Sequence, residues 1–304
     1  MSHTSDLSPA DMDNYGIGVL CQKGCKEDRT NQDTFAVHLS RDSAIFGVFD
    51  GHGPSGDQLS HFAQTDLIDA VKDHVLSTPR GSTLTEVLEK AFIKCHAGCI
   101  LEESRVADLD KFDASTAGST ATVVVVSSDL ITVATVGDSR CILGLETSPG
   151  KFKCVELTHD QSPERKDERR RIESHGGEIR RLRGDFPLRV FVKGHSTPGL
   201  AMTRAIGDTS GTPAGIIPDP EVSTYPNSAK RGSFIVLASD GVWEFLSSAE
   251  VVALVAPATS ATAAAIAVKE AAVRMWQERC PYAIDDITCI VAFLTYLPRT
   301  GFLQ

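Results

Sequence analysis

The sequence of 304 residues predicts an α+β fold, a central antiparallel β-sandwich flanked by pairs of α-helices in a four-layer αββα order. Two observations support this prediction. Short apolar and β-branched runs outnumber helical patterns, and their hairpin-like spacing favours antiparallel sheets. The helical patterns come in pairs and do not alternate singly with strands, which argues against a doubly wound parallel sheet.

The predicted elements follow one another as strands, two helices, strands, one charged helix, a strand, two helices and a last strand. Strands are predicted where short apolar runs end at turn signals, at residues 15–22, 34–39, 44–49, 120–126, 130–135, 141–145, 152–157, 234–239 and 287–294. Helices are predicted where apolar residues recur at helical spacing, at residues 55–76, 84–99, 249–255 and 258–279. Ser162-Pro163-Glu164 is predicted to open the charged helix, which would end at Gly176-Gly177.

The sequence favours a single domain over residues 15–297, because no linker or internal repeat divides the chain. Residues 1–14 are expected to form a disordered N-terminal lead, and residues 298–304 a C-terminal tail. Residues 184–217 are rich in glycine and proline with little periodicity, so we expect an irregular flap there.

Composition and charge exclude several functional classes. The formal net charge of −10 argues against a nucleic-acid partner. We find no apolar stretch long enough to span a membrane, and the polar start Met1–Asp6 lacks the apolar core of a signal peptide. The eight cysteines are therefore expected to be reduced thiols, in a cytoplasmic or nuclear protein. Cys95 and Cys99, beside His96, lack a second ligand pair for zinc and are interpreted as packing residues.

Carboxylates stand at the ends of five predicted strands. They are Asp33, Asp50, Asp138, Asp240 and Asp285. A half-desolvated carboxylate must be compensated by a basic side chain or a cation, and basic residues are not interleaved to match these five. Oxygen ligands gathered from several strands are what Mg²⁺ or Mn²⁺ requires. The convergence of these carboxylates in space is a hypothesis. Taken alone, Asp50-Gly51 favours a hairpin turn, because Asp-Gly is the strongest short turn signal.

Nine short motifs occur in one order along the chain. They are Asn31–Asp33, Asp50–Gly53, Gly118–Ala121, Val136–Arg140, Leu157–Asp160, Glu173–Gly177, Met202–Asp208, Ala238–Trp243 and Asp285–Thr288. Through them the stretch from about Tyr15 to Leu294 resembles the type 2C metal-dependent serine/threonine protein phosphatases. The resemblance implies the same β-sandwich and, as partners, proteins phosphorylated on serine or threonine. Each motif alone is a weak signal, and their order makes the resemblance specific.

The resemblance also implies a site for two Mg²⁺ or Mn²⁺ ions. By position, Asp50 would bridge the ions and the backbone carbonyl of Gly51 would bind one of them. Asp240 and Asp285 would bind the other. A metal-bridging hydroxide would attack the phosphate monoester directly, without a protein nucleophile.

Three further residues receive roles from the resemblance. Asp33 would bind or orient metal-bound water, and Asp138 would form a weaker third metal site with Asp240. His52 would protonate the leaving serine or threonine oxygen. The competing interpretation of His52 is a turn histidine bonded to backbone.

Two positions depart from the family pattern. Gln32 stands where glutamate is common, so one negative charge near the metal ions would be missing. The phosphate-binding basic residue of the family usually lies where this chain has Asp28. Its neighbours Arg29 and Lys26 are the candidates, and Arg29 is favoured for bidentate geometry. An exposed loop arginine is the alternative.

Two other functional classes would require different sequence features. A pseudophosphatase scaffold would be expected to lose Asp50, Asp240 or Asp285, and all three are present. A sensor locked through the flap, as in hormone-regulated plant relatives, would carry a tryptophan just before Ile217-Pro218, and none stands there. The sequence therefore favours an active phosphatase, expected to be a monomer.

Overall fold

The computed structural model describes residues 9–25, 30–77, 82–104, 112–183, 187–227 and 232–297 of the chain. The strands within these ranges are β1 Ile17–Gln22, β2 Asp33–Leu39, β3 Ser43–His52, β4 Gly118–Ser119, β5 Ala121–Ser127, β6 Leu130–Val136, β7 Arg140–Ser148, β8 Lys151–Glu156, β9 Gly177–Arg180, β10 Arg189–Val192, β11 Pro198–Leu200, β12 Ile206–Gly207, β13 Glu221–Pro226, β14 Phe234–Ala238 and β15 Ile287–Phe293. The helices are α1 Pro9–Asn14, α2 Gly56–Ser77, α3 Leu84–Ser104, α4 Lys166–Ser174, α5 Asp240–Trp243, α6 Ser248–Val255 and α7 Ala261–Arg279, with a 3₁₀ helix at Thr209–Ala214.

Two antiparallel sheets face each other and bury a core between them. The five-stranded sheet has the order β1-β15-β14-β7-β8. The seven-stranded sheet has the order β12-β4-β3-β5-β6-β13, and β2 pairs with β3 beside it. Phe46, Leu237 and Ile290 are fully buried between the sheets. Because both faces of the central strands are covered, their sequences are apolar runs without polar alternation.

Helices cover the outer face of each sheet. Leu59 of α2 and Phe92 of α3 belong to the core outside the seven-stranded sheet. Val251 of α6 and Trp276 of α7 belong to the core outside the five-stranded sheet. The predicted four-layer αββα arrangement is therefore confirmed.

The cysteines and the helices are the subject of two expectations from composition. All eight cysteines are free thiols. Cys95 and Cys99 are fully buried in the core beneath α3, which confirms their interpretation as packing residues. Of the helices that the structure describes, none combines the length and the apolar character needed to cross a bilayer.

The start of the chain differs from the predicted disordered lead over residues 1–14. Residues 9–14 form α1, while residues 1–8 lie outside the described part. Met12 is 6% exposed and packs into the core between the sheets. Asp13 Oδ1 accepts hydrogen bonds from the backbone nitrogen and Oγ1 of Thr262, at the start of α7. The buried side chain of Met12 and the hydrogen bonds between Asp13 and Thr262 therefore stabilise α1.

The prediction of an irregular flap over 184–217 is wrong for about half of the residues described there, which lie in β10, β11, β12 and the 3₁₀ helix. β10 pairs with β9 on one side and β11 on the other, which forms a small three-stranded sheet. Ile172 of α4, Val190, Ala214 and Ile216 form a satellite core beneath it. The strands are too short to give a periodic pattern, and contacts distant in sequence stabilise them instead.

Helix α4 begins at Lys166, so the prediction that Ser162 caps it is wrong. Ser162 instead accepts a backbone hydrogen bond from Arg165 in a preceding turn. Arg165 takes the N-cap position, and its guanidinium donates to Asp167 and Glu221. Ion pairing across the fold therefore fixes the start of this helix.

A matched pair of leucine substitutions tests the core between the sheets. Leu237→Ala should lower the free energy of unfolding by about 2–5 kcal/mol, because Leu237 is fully buried. Leu130→Ala should change it by about 0.5 kcal/mol or less, because Leu130 is 45% exposed at a strand end. Urea unfolding of both variants measures the difference, and equal losses would contradict the position of Leu237.

Candidate active site

Several strand ends meet at a pocket of about 750 Å³. Predicted site residues that line it are Asp50, Gly51, His52, Asp138, Asp240 and Asp285. Asp33 is the fifth predicted carboxylate, and it lies opposite Asp50 in the pairing of β2 with β3. The convergence proposed from the sequence is therefore observed, and the carboxylates come from both sheets.

Strand β3 runs through the site and does not turn at Asp50. The backbone nitrogen of Asp50 donates to Thr120 Oγ1 at 3.0 Å, and the backbone nitrogen of Thr120 donates to the carbonyl of Asp50 at 2.9 Å. A Cβ on Gly51 would lie 2.0 Å from the carbonyl oxygen of Gly56, so only glycine fits there. The chain turns after His52, and the hairpin interpretation of Asp50-Gly51 is wrong.

The neighbours Asp285 and Asp286 have different contacts. Asp286 is 7% exposed and accepts hydrogen bonds from the backbone nitrogens of Gly24 at 2.7 Å and Gln32 at 2.8 Å. Asp285 lines the pocket, and its Oδ1 accepts the backbone nitrogen of Asp286. Asp286 therefore joins the loops after β1 and before β2, and Asp285 is the one available to the pocket.

Asp33 is 4% exposed and only half satisfied. Its Oδ2 accepts a hydrogen bond from Ser239 Oγ at 2.7 Å, whereas its buried Oδ1 has no partner. Burial, together with the charges of Asp286 and Asp285, raises the pKa of Asp33 from 3.8 to about 7. A carboxylate in this position is poorly stabilised by the protein alone.

The carboxylates of the pocket repel one another. Burial and the charges of Asp33 and Asp240 raise the pKa of Asp50 well above its usual range. Burial and neighbouring charges, most strongly that of Asp285, also raise the pKa of Asp240 well above its usual range. Burial raises the pKa of Asp138 to about 6, and its buried Oδ1 has no hydrogen-bond partner. Orphaned, mutually repelling carboxylate oxygens are a donor set that fits divalent cations.

His52 is bonded to a buried aspartate that the sequence analysis includes in a motif without assigning it a role. The Nε2 atom of His52 lies 2.6 Å from Oδ2 of Asp208, whose side chain is 1% exposed. Burial lowers the pKa of His52, but the charge of Asp208 and its hydrogen bond raise it more, and Asp138 adds to this. The charge and hydrogen bond of Asp208 therefore stabilise the protonated form of the imidazole.

The structure describes only one of the two positions that depart from the family pattern. Gln32 lines the pocket and is 7% exposed, and its Nε2 donates to the carbonyl of Gly53 at 2.9 Å. Its amide thus supports the turn after β3. Arg29 and Lys26 lie outside the described residues, so the choice of Arg29 for binding phosphate stays a prediction.

A second acidic group, formed by Asp167, Glu168 and Glu221, lies apart from these residues. Glu168 is 1% exposed and accepts hydrogen bonds from the guanidinium groups of Arg171 and Arg204. Burial raises the pKa of Glu168, but the hydrogen bonds from Arg171, Arg204 and Thr203 outweigh it and lower the pKa to about 2. Arginines already compensate this group, which joins α4 to β13 and needs no cation.

The fold and the sequence match one family of proteins. The family model for protein phosphatase 2C matches residues 21–286. "Probable protein phosphatase 2C 72" of Arabidopsis thaliana is 34% identical over 93% of this chain and 87% of that protein. "Probable protein phosphatase 2C 61" of the same plant is 34% identical over 86% of this chain and 79% of its own length. A serine-threonine phosphatase 2C from Toxoplasma gondii has the same fold, with a TM-score of 0.75, 22% identity, and coverage of 91% of this chain and 94% of that one.

The raised pKa of Asp33 predicts a pH-dependent cost in metal-free protein. Between its ordinary value of 3.8 and about 7, the folded chain keeps a proton that the unfolded chain has released. The folded state therefore binds more protons, and this contribution to stability falls as the pH rises through that window. Asp33→Asn removes the ionisation, so its melting temperature should gain on wild type across the same range.

Thermal unfolding in chelator at several pH values measures this gain. Asp129→Asn, at an exposed hairpin position, is the matched control and should follow wild type throughout. Mn²⁺ should raise the melting temperature of wild type near neutral pH, because a ligand that binds only the folded state stabilises it. A gap between Asp33→Asn and wild type that does not change with pH would contradict the prediction.

Gln32→Glu should destabilise metal-free protein by about 1–3 kcal/mol, because the carbonyl of Gly53 loses its donor. The added charge should also lower the metal concentration needed for half-maximal stabilisation, so the loss should shrink as Mn²⁺ is added. Gln64→Glu is the matched control, since Gln64 donates to the carbonyl of Phe35 and does not line the pocket. Its loss should not depend on metal. Superimposed metal titrations of wild type and Gln32→Glu would show that position 32 does not reach the cations.

Proposed function

The chain belongs to the protein phosphatase 2C family, the metal-dependent protein serine/threonine phosphatases, and we propose that it is an active member. The observation that supports this proposal most directly is the pocket in which both sheets present carboxylates beside His52. A pseudophosphatase would have no need to keep buried, mutually repelling acids, because each of them costs stability in the absence of a cation.

We assign the carboxylates of the pocket to two Mg²⁺ or Mn²⁺ ions. Such ions, when bound, neutralise the charge of a phosphate ester and lower the pKa of water, so that a nucleophile is available near neutral pH. In this assignment Asp50 would help to hold both ions, and Asp138 with Asp240 would hold a weaker third one. The other proposed ligands are the backbone carbonyl of Gly51, the side chain of Asp285 and, directly or through water, that of Asp33.

The acidic lining also determines when substrate enters. A phosphate ester carries negative charge, and Asp50, Asp138 and Asp240 would repel it from a pocket without cations. Substrate binding therefore depends on prior compensation of these carboxylates. Arg29 remains the proposed phosphate-binding residue from the sequence.

His52 is the proposed proton donor to the leaving oxygen of serine or threonine. It lines the pocket, and its pKa is raised by Asp208, which keeps the ring in the form that has a proton to give. An alkoxide is a poor leaving group, so protonation at this oxygen is needed for a phosphoserine or phosphothreonine substrate.

The cellular setting follows from weaker observations and is part of the proposal. We propose that the protein acts as a monomer in the cytoplasm or nucleus, on proteins that carry phosphoserine or phosphothreonine. The eight free cysteines support a reducing compartment.

A metal-titrated assay tests the proposed function. Purified protein should hydrolyse a phosphothreonine peptide when Mn²⁺ or Mg²⁺ is present and should stop when the ions are chelated. Asp50→Ala and Asp240→Ala should each lower kcat/KM by roughly 10²-fold or more, because metal ions supply several kcal/mol of transition-state stabilisation. Circular dichroism confirms that the variants fold, and exposed Asp129→Ala is the control. Undiminished turnover after exhaustive chelation would overturn the proposal.

A further inference from the structure

We infer that a second pocket, at the opposite end of the five-stranded sheet from the candidate active site, binds an arginine side chain of a partner protein. This distal pocket has a volume of about 590 Å³. Five of the residues that line it are Asp13, Glu146, Phe152, Phe293 and Tyr296. The assignment does not depend on the proposed phosphatase reaction.

Strands β14 and β15 run from one pocket to the other. Asp240 follows the end of β14 and Asp285 precedes the start of β15, and both line the active-site pocket. Gly232 precedes the start of β14 and Phe293 ends β15, and both line the distal pocket. A strand rises about 3.3 Å per residue, so β15 separates the two pockets by roughly 20 Å. A partner in the distal pocket therefore leaves the active-site pocket open.

Aromatic rings form the apolar part of the distal pocket. Phe234 is fully buried and contacts two of them, with ring centroids 5.5 Å from Phe152 and 5.8 Å from Phe293. Tyr296 is 61% exposed and lies over the backbone of Gly16, where a Cβ would come within 2.8 Å of its ring. Because these contacts position the rings in advance, a planar guanidinium group can stack on them with little ordering of the pocket.

The polar part of the distal pocket is acidic. Asp13 and Glu146 line it, and among the residues that the structure describes no lysine or arginine does. Oε1 of Glu146 accepts a hydrogen bond from the backbone nitrogen of Gly150 at 2.9 Å. A Cβ on Gly232 would lie 2.3 Å from Oε2 of Glu146, so glycine there leaves room for the carboxylate. These backbone contacts orient the carboxylate of Glu146 and do not cancel its charge.

The start of α7 also lines the distal pocket, but it does not make the pocket a site for anions. Asp13 Oδ1 accepts the backbone nitrogen of Thr262 at 3.2 Å, and Ser260 Oγ accepts that of Ala263 at 3.2 Å. Acceptors from the chain itself thus satisfy these first N–H groups of the helix, and Asp13 offsets their partial positive charge. Together with Glu146, the lining stays negative and complements a cation.

The same chain already holds an arginine between a ring and a carboxylate. The guanidinium of Arg140 lies 5.0 Å from the ring centroid of Trp243 and donates to both carboxylate oxygens of Asp160, at 2.9 and 2.7 Å. Arginine suits such a setting better than lysine, because its planar group stacks on a ring while its N–H groups face a carboxylate. The distal pocket offers both halves of this arrangement.

The size of the distal pocket indicates that the arginine belongs to a polypeptide. The pocket is larger than one guanidinium group requires, and Ala256 and Ala258 line another part of it. Their methyl groups offer an apolar surface to the methylene groups of the arginine and to the residues beside it. The occupant is therefore an arginine on an exposed segment of a partner protein.

An NMR titration of protein with ¹³C-labelled alanine methyl groups tests the inference. The probe is the peptide acetyl-Gly-Ala-Arg-Ala-Gly-amide. Signals of Ala256 and Ala258 should shift as it binds, while those of Ala201 and Ala283 report separately on the active-site pocket. The same peptide with citrulline in place of arginine keeps the shape but loses the charge, so it should bind at least about 10-fold more weakly.

Two variants separate the charge from the stacking. Glu146→Gln keeps an oxygen for the backbone nitrogen of Gly150 and should weaken binding of the arginine peptide by roughly 10-fold. Tyr296→Leu keeps an apolar side chain without the ring and should weaken it by about 2–5-fold. Asp129→Asn and Tyr282→Leu, both at exposed positions outside the distal pocket, are the matched controls and should bind as wild type does. Thermal unfolding checks that each variant is folded.

The comparison of the two peptides uses wild-type protein alone, so it does not depend on the folding of a variant. Equal affinity for both peptides, or no shift of Ala256 and Ala258, would overturn the inference. Ethylguanidinium lacks the peptide and should bind at least about 5-fold more weakly, because it buries less apolar surface. If it binds as tightly as the arginine peptide, a small cation is the occupant and docking of a partner is overturned. Binding seen only after removal of residues 298–304 would make the chain's own tail the occupant, which also overturns it.

Discussion

Electrostatic repulsion among buried carboxylates is the main constraint on the end of the sandwich at which the pocket lies. Asp50 lies on β3 of the seven-stranded sheet and Asp240 begins α5 just after β14 of the five-stranded sheet, yet their side chains are close enough to share a hydrogen bond. Hydrogen bonds in the surrounding structure oppose their separation. Ser239 donates to Asp33, and Asp286 accepts from the backbone nitrogens of Gly24 and Gln32. These contacts hold the acids together, but they leave oxygens of Asp33 and Asp138 unsatisfied. The fold thus maintains an uncompensated negative site that a divalent cation would complete.

The second acidic group shows what a compensated cluster looks like in the same protein. Glu168 is as deeply buried as Asp33, but two arginines donate to it and its pKa is lowered, whereas that of Asp33 is raised. Proximity of acids is therefore a poor guide to a metal site. The direction of the pKa shift separates the ion-paired Glu168, whose pKa is lowered, from Asp50, Asp138 and Asp240 of the pocket, whose pKa values are raised.

Much of the fold and most of the site could be predicted, because the signals are local. Apolar strands that end in aspartate predicted the sandwich and brought attention to Asp50 and Asp240. The small sheet around β10 was missed, since strands of three or four residues depend on distant contacts. Tertiary contacts also decide that Arg165 takes the N-cap position of α4 and that Asp285, not Asp286, lines the pocket. Asp208 belonged to a recognised motif, but only the folded chain shows that it meets His52.

The two parts of the site depend on the sandwich in different ways. The proposed cation ligands are associated with both sheets, since Asp33 and Asp50 lie on strands of one and Asp240 directly follows β14 of the other, so bound ions would join the sheets at this end. His52 and its contact with Asp208 belong to the seven-stranded sheet alone, through β3, β4 and β12. Changes in the spacing between the sheets would therefore alter cation binding directly, while the orientation of the His52 ring is set by contacts within one sheet.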